Sequence, residues 1–380
     1  MKETVGDIDI LVLTDSPRKV IDFFVNLPEV ESRIVKGPKK ATVFLKIGID
    51  CDLRVFDKEN YGAGMLYFTG SKQHNIQLRK IAISKGYKLN EYGLFSRKTK
   101  KIIASKTEEE MYKALGMDYI PPEMRENEGE VELAIKHKIP KLIDYKDVKG
   151  DLHLHSNWSD GSNTIRAIAK KAKEMGYSYI CITDHSAKAL PVTGGMKESD
   201  FKKQRREIDS VRIDGLKIFQ GVEANIMPDG SIDLSNKVLS ELDFVIAGIH
   251  SRFKMSRKDM TKRLITAIEN EHVDIIAHPT GRLIGEREAY DLDFDEVLHA
   301  AKENKTILEI TAFPNRLDLS SYYIRKAVSR GVKLSIGTDS HSIEQMWHMR
   351  LGIGTARRGW ARKSDIINTL GLKKLEQIAK

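Results

Sequence analysis

Cysteine is nearly missing from this chain: Cys51 and Cys181 are the only two in 380 residues. Two thiols make no disulfide framework, and a reducing cytoplasm is the expected compartment. No apolar run approaches the roughly 18 residues of a membrane span, so no membrane partner is expected. No charged-then-apolar segment opens the sequence, so no secretory signal is expected. Internal repeats and low-complexity tracts are also lacking. So are a P-loop and a GxGxxG fingerprint; GIGTARRG at 352–359 is a near miss.

What remains is an ordinary globular profile, with 41% hydrophobic and 31% charged residues. The length suits two or three domains. There are 63 basic and 54 acidic residues, a formal charge of +9. That excess is compatible with a polyanionic partner and equally with a solvated basic surface. The basic segments KGPKK (36–40), SRKTKK (96–101) and KKQRR (202–206) are candidate phosphate contacts.

Three regions follow one another. Residues 1–60 read as strand, helix, strand, strand: IDILVLT, PRKVIDFFVNL, ATVFLKIG and DCDLRVF. Residues 61–125 hold aromatic and glycine-rich pieces and one helix, SKQHNIQLRKIAISKGY. Residues 126–145 read as a linker. From 146 to 380 short apolar strands alternate with amphipathic helices, the pattern of a parallel sheet covered on both faces or closed into a barrel. GDLHLH, YSYICITDH, LKIFQGVEA, LDFVIAGIH, VDIIAHP, TILEIT and VKLSIGTDSH supply seven strands, one fewer than the usual barrel.

Six of these strands end in residues able to bind a cation. The first offers His153 and His155, with Asp160 just beyond; others end at His185, Glu223, His250 and His278, and the last at Asp339 and His341. The carboxyl ends of barrel strands share one rim, so these nine side chains are expected to converge. Pairs two apart, such as His153 and His155, face the same way on a strand. Mixed imidazole and carboxylate donors suit Zn²⁺, Mn²⁺ or Fe²⁺. Nine donors fit two or three ions, with Asp160 and Glu223 as possible bridges. A lone buried histidine is usually structural, but so many polar groups are costly to bury without cations. Such a cluster acidifies bound water toward about pH 7 and grips the attacking and leaving oxygens of a phosphoester.

The motifs HxH…SDG, TDH, GVEANI, GIH, AHP and TDSH resemble those of the PHP phosphoesterase domain, over about 146–350. The resemblance implies a distorted (β/α)₇ barrel, with those nine residues holding a trinuclear site that hydrolyses phosphoesters. Asp184 is expected to orient an imidazole. Arg316, in EITAFPNRLDL, is a candidate phosphate contact or a surface arginine near a turn.

In the first region GDIDIL sets Asp7 and Asp9 on one face of a strand, and IDCDLRVF offers Asp52, with Asp50 two before it. Three carboxylates on neighbouring strands suit two Mg²⁺ ions and nucleotidyl transfer. ETVGDIDIL, CDLRVF and YFTGSKQHNIQLR resemble the palm and thumb of a family X DNA polymerase, over roughly 3–120. That resemblance implies a smaller α+β palm and thumb remnant (1–60 and 61–125) before the PHP region (146–380). It assigns Asp7, Asp9 and Asp52 as polymerase carboxylates, and Tyr67, Phe68, Gly70 and Asn75 as the deoxynucleotide pocket. The family's upstream fingers and triphosphate grip are not found before GDIDIL. The chain therefore reads as amino-terminally truncated, with an exposed edge on the palm sheet: either a fragment or naturally truncated product, or a chain whose partner is a separately encoded other half. This argues against template-directed synthesis by the chain alone.

The expected function is DNA repair by a monomer that binds DNA, the PHP barrel acting as a metal-dependent 3′–5′ exonuclease or on abasic sites and 3′ ends. One alternative is a small-molecule phosphatase of the histidinol-phosphatase type. Another is a front half that only binds DNA.

Overall fold

A computed structural model describes residues 3–187 and 194–378. The chain forms two units, Met1–Pro140 and Lys141–Lys380. Among the described residues no helix is long and apolar enough to cross a membrane.

The first unit opens with β1 (Asp7–Leu13), α1 (Pro17–Phe24), β2 (Val30–Lys36), β3 (Lys40–Leu45) and β4 (Ile49–Phe56). The sheet order is β1-β4-β3-β2, with β1 parallel to β4 and the other pairs antiparallel. Pro17 suits the start of α1, where its missing N–H costs nothing. Ile21 and Phe24 of α1 pack on Ala41, Val43, Cys51, Leu53 and Val55. These strand positions alternate, so Thr42, Asp50 and Asp52 face away from the helix. No strand was expected at β2. Its residues are nearly all exposed and lack an apolar alternation, and pairing with β3 holds it at the sheet edge. β1 forms the other edge, with Ile10 and Leu13 exposed.

Next come α2 (Tyr61–Thr69), α3 (Lys72–Ser84), the three-stranded sheet of β5 (Tyr87–Asn90), β6 (Gly93–Ser96) and β7 (Ile102–Ala104), then α4 (Glu108–Ala114). Two glycines inside α2 would normally count against a helix. Here they admit close neighbours: a Cβ on Gly62 would lie 2.4 Å from the Thr107 backbone, and one on Gly64 would lie 2.9 Å from the Phe56 ring. The segment read as a linker contains α5 (Glu130–Ile135), which packs on α3. Glu130 is fully buried, 2.7 Å from Nδ1 of His74, and its carboxylate accepts from the Asn127 and Glu128 amides.

The second unit holds, among the described residues, seven parallel strands: β8 (Gly150–Leu154), β9 (Tyr179–Ile182), β10 (Lys217–Asn225), β11 (Phe244–Gly248), β12 (Ile275–Ile276), β13 (Ile307–Thr311) and β14 (Leu334–Gly337). They neighbour one another in chain order. The chain just beyond β14 then returns to β8: the Asp339 amide donates to the His153 carbonyl, and the His155 amide to the Ser340 carbonyl. The result is the nearly closed seven-stranded barrel expected from the alternation. Helices such as Ile165–Glu174, Arg257–Ile268 and Phe294–Asn304 cover it, burying Ile168, Leu264 and Val297 against Ile182, Val245 and Leu308.

The opposite strand face carries Tyr179, Cys181, Phe219, Phe244, Ile246, Ile275 and Ile307, joined by Ile367 and Leu375 near the carboxyl terminus. Along each strand this face changes character. Phe219 is followed by Gly221 and Glu223, and Ile307 by Glu309 and Thr311, at the two-residue period of a strand. Apolar side chains thus plug one end and polar ones occupy the other.

Gly62→Ala is expected to destabilise the first unit by about 1–3 kcal/mol through overpacking. The check is the urea midpoint, which should fall.

Candidate functional site

The polar end of the barrel is organised around Glu223, which is 1% exposed. Its Oε1 lies 2.8 Å from Nε2 of His278 and 3.0 Å from Nε2 of His250. Its Oε2 lies 3.1 Å from Nδ1 of His185, 3.3 Å from Nε2 of His153 and 3.5 Å from Nε2 of His155. Asp339 sits 3.2 Å from Nε2 of His155, and Asp160 sits 3.2 Å from Nε2 of His341. All nine donors expected from the strand ends are therefore gathered at one rim.

Three overlapping sets can each surround an ion: His155, Asp160, His185 and His341; His153, His155, Glu223 and Asp339; and His185, Glu223 and His250. His278 joins through Glu223.

The donors fit divalent cations on two grounds. Nδ1 of His155, His250 and His278 are all buried without a hydrogen-bond partner, a loss of about 1–3 kcal/mol for each buried polar group. The titration of the cluster points the same way. Burial opposes charge on His153, yet Glu309, Glu223 and Asp339 hold it well above the usual imidazole range. Burial also opposes charge on His341, but Asp160 and Asp339 raise it to about 9. At His185 burial prevails and pushes the imidazole down to about 3. The carboxylates thus draw protons onto histidines in places that cations would take.

Local backbone and small residues make the convergence possible. His278 and Asp339 adopt positive φ, +30° and +53°, a region sparsely used by residues with side chains. A Cβ on Gly248 would lie 2.8 Å from His278, 2.9 Å from Glu223 and 3.0 Å from His250. One on Gly337 would lie 2.1 Å from Oε1 of Glu309. Glycine at these inward positions leaves room for the donors.

The supporting residues differ in part from expectation. Asp184 does not orient an imidazole: it accepts from the Ser156 amide and hydroxyl, the Ser159 hydroxyl and the Gln204 amide. It holds the turn that leads to Asp160. The imidazole is oriented instead by Glu309, whose Oε1 is 2.6 Å from Nδ1 of His153. Glu309 also accepts from the His278 amide and the Thr311 hydroxyl. Sequence reasoning passed over it, although an acid within the fully buried strand ILEIT is the available signal. Beneath it, Asp151 accepts from Thr338 and the His153 amide, and burial pushes its carboxyl up to about 7. Arg316 does reach the cluster, its Nε 3.6 Å from Asp339. Its loop is held by the Arg282 guanidinium, which donates to the Arg316 and Leu317 carbonyls.

In the first unit, parallel register sets Asp9 opposite Asp52 and Asp7 opposite Asp50. All four lie on the sheet face away from α1. Burial, then the charges of Asp7 and Asp52, raises the Asp9 carboxyl above its usual range. The Thr42 hydroxyl donates to Asp52. These acids are more open than the barrel cluster, and the tight donor sets found among the described residues all lie in the barrel.

Tyr67, Phe68, Gly70 and Asn75 meet where α2 hands over to α3. Asn75 Nδ2 donates to the Tyr67 carbonyl at 2.7 Å, and Ser71 caps α3 through the His74 amide. Phe68 packs edge-on against Phe56, with the Arg54 guanidinium 5.1 Å from its centroid. Among the basic segments, Lys36 pairs with Asp22, Lys39 with Asp57, Lys203 with Asp200 and Arg205 with Asp243.

Residues 64–126 match the DNA polymerase beta thumb family, and residues 151–313 match the PHP domain family. The chain is 42% identical over 383 residues to the DNA polymerase/3′-5′ exonuclease PolX of Bacillus subtilis, covering 100% of this chain and 67% of that protein. It is 35% identical over 202 residues to a protein of Caldanaerobacter subterraneus named as a probable phosphatase, covering 50% of this chain and 75% of that one. A solved histidinol phosphate phosphatase of Lactococcus lactis, complexed with zinc, L-histidinol and phosphate, aligns at 18% identity and a TM-score of 0.43, over 56% of this chain and 94% of its own.

Glu309→Gln keeps the shape of the side chain but removes its charge. It is expected to weaken divalent-ion binding roughly 10–100-fold, as loss of a carboxylate behind a histidine ligand does. Competition against a chromogenic chelator measures it, and unchanged affinity would show that Glu309 does not orient His153.

Proposed function

Because this chain belongs to the family X DNA polymerases that carry a PHP domain, we propose that it is a DNA-processing enzyme whose barrel is a metal-dependent 3′–5′ exonuclease. One observation carries the reading: the match to a DNA polymerase/3′-5′ exonuclease, at 42% identity, spans both units of the chain. The relatives named as phosphatases match only half of it, so a small phosphomonoester as substrate is less well supported. DNA is the proposed partner.

In this reading the nine donors hold two or three Zn²⁺, Mn²⁺ or Fe²⁺ ions. Bound cations would supply Lewis-acid charge to a phosphodiester and lower the pKa of a water. The chain's own residues do the rest. Glu223 sets the spacing of the sets by facing five imidazoles. Glu309 fixes the tautomer and ring plane of His153, leaving its Nε2 toward the cluster. Arg316, beside Asp339, offers a guanidinium to a non-bridging phosphate oxygen. The Asp184 network keeps Asp160 in place. Charge of both signs is thus positioned before the substrate arrives, which is the arrangement that stabilises a developing oxyanion.

The face bearing Asp7, Asp9 and Asp52 is proposed to hold Mg²⁺ for nucleotidyl transfer, with Tyr67, Phe68, Gly70 and Asn75 lining a deoxynucleotide pocket. The raised Asp9 carboxyl supports this, since crowded acids gain from a shared cation.

End-labelled DNA is expected to shorten from its 3′ end in Mn²⁺. His155→Ala should reduce this to background, and Asp52→Ala should leave the rate within about twofold, the two sites being independent. A His155→Ala protein as fast as the parent would overturn the assignment. Any primer extension by the chain is expected to vanish in Asp9→Ala, and extension that survives would remove the acids from that role.

A further inference from the structure

The loops leaving β11 and β12 carry His250 and His278, and beside them lies a cleft of about 840 Å³ lined by Arg252, Phe253, Lys254, Arg287 and Tyr290 among others. Its wall is a stack. The Phe253 and Tyr290 rings are parallel within 8°, with centroids 6.0 Å apart. The Arg287 guanidinium lies 3.9 Å from the Phe253 centroid. Arg287 Nε donates to the Gly281 carbonyl at 2.9 Å.

This stack is tied to the metal rim at two points. The Gly281 amide donates to the His278 carbonyl at 2.9 Å, and the Tyr290 hydroxyl donates to the Ile249 carbonyl at 3.3 Å. Gly281 has φ +61°, and a Cβ there would fall within the Tyr290 ring. Only glycine lets the loop close this tightly.

The guanidinium is therefore held in one plane, while its two terminal nitrogens have no hydrogen-bond or ion-pair partner among the described residues. Glu286, Glu288 and Asp291 line the same cleft and are exposed, yet none pairs with Arg287. Stacked and anchored through Nε, the group keeps its outer fork for an incoming oxyanion. Phosphate matches that fork in shape and charge. The ordering cost of the side chain is already met before binding. Exposed Arg252 and Lys254 extend the positive side of the cleft.

We infer that Arg287 grips a backbone phosphate of the nucleotide next to the one cut at the metal rim, so that this cleft selects a polynucleotide strand over a small phosphate ester. The inference rests on the exonuclease reading of the same rim. A small ester has only one phosphate and gains nothing from this contact.

The test uses the full chain in Mn²⁺ with two substrates, a single-stranded oligonucleotide and bis(p-nitrophenyl) phosphate. In Arg287→Ala the ratio of the two kcat/KM values, oligonucleotide over small diester, should fall roughly tenfold or more, carried by the oligonucleotide KM. The salt dependence of that KM should lose about 0.7 of slope, one phosphate contact fewer on a single strand. Arg287→Lys keeps the charge without the planar fork and is measured in parallel, as a guard against misfolding of the alanine variant; its ratio should also fall. Unchanged ratios in both variants overturn the inference and leave the exonuclease reading standing. A parent chain that hydrolyses the small diester but never shortens DNA overturns both.

Discussion

A single buried carboxylate, that of Glu223, sets the terms for the barrel rim. Five imidazoles approach its two oxygens within 3.5 Å. A carboxylate so enclosed is stable only if its surroundings carry positive charge. Protons on histidine can provide that charge, and so can divalent ions. The remaining features follow from the crowding. Glycines at 248 and 337 clear space, Glu309 holds the His153 imidazole while Asp151 holds its backbone amide, and two donors accept left-handed backbone.

Crowding of like groups recurs in the first unit in a weaker form. Asp7, Asp9, Asp50 and Asp52 share one sheet face because two parallel strands pair in register. This face is more open, so water screens the acids, and partial burial with the charges of Asp7 and Asp52 raises the Asp9 carboxyl. The two sites therefore differ in what enforces cation binding. In the barrel it is nearly complete burial, and on the sheet it is partial burial together with mutual repulsion.

Much of this was legible in the sequence where periodicity and chemistry coincide. The seven barrel strands stand out because each is a short apolar run ending in a polar residue, as in FVIAGIH or LSIGTDSH. The donors stand out for the same reason: a histidine closing an apolar strand has few bland explanations. Residues whose role depends on partners distant in sequence were harder to read. Glu309 is one acid in an apolar strand, and its meaning appears only when β13 lies beside β8's histidine. Asp184 adjoins a donor, which points to a supporting role for it there, whereas folding turns it toward Ser156 and Gln204. Strand β2 carries no pattern because, among the described residues, all of it but Val30 is exposed. Helix α2 hides behind two glycines whose purpose is a close approach to Thr107 and Phe56.

The closure of β14 against β8 also bears on the order in which the chain leaves the ribosome. His185, Glu223 and His250 are all present once residue 250 has emerged, so one ion-holding set precedes the rest. The other two sets need Asp339 or His341, which arrive about ninety positions later and only then pair with the first strand. A nascent barrel is thus limited to a partial cluster until its last strand is made, and the hydrolytic centre is assembled as one of the final events of synthesis.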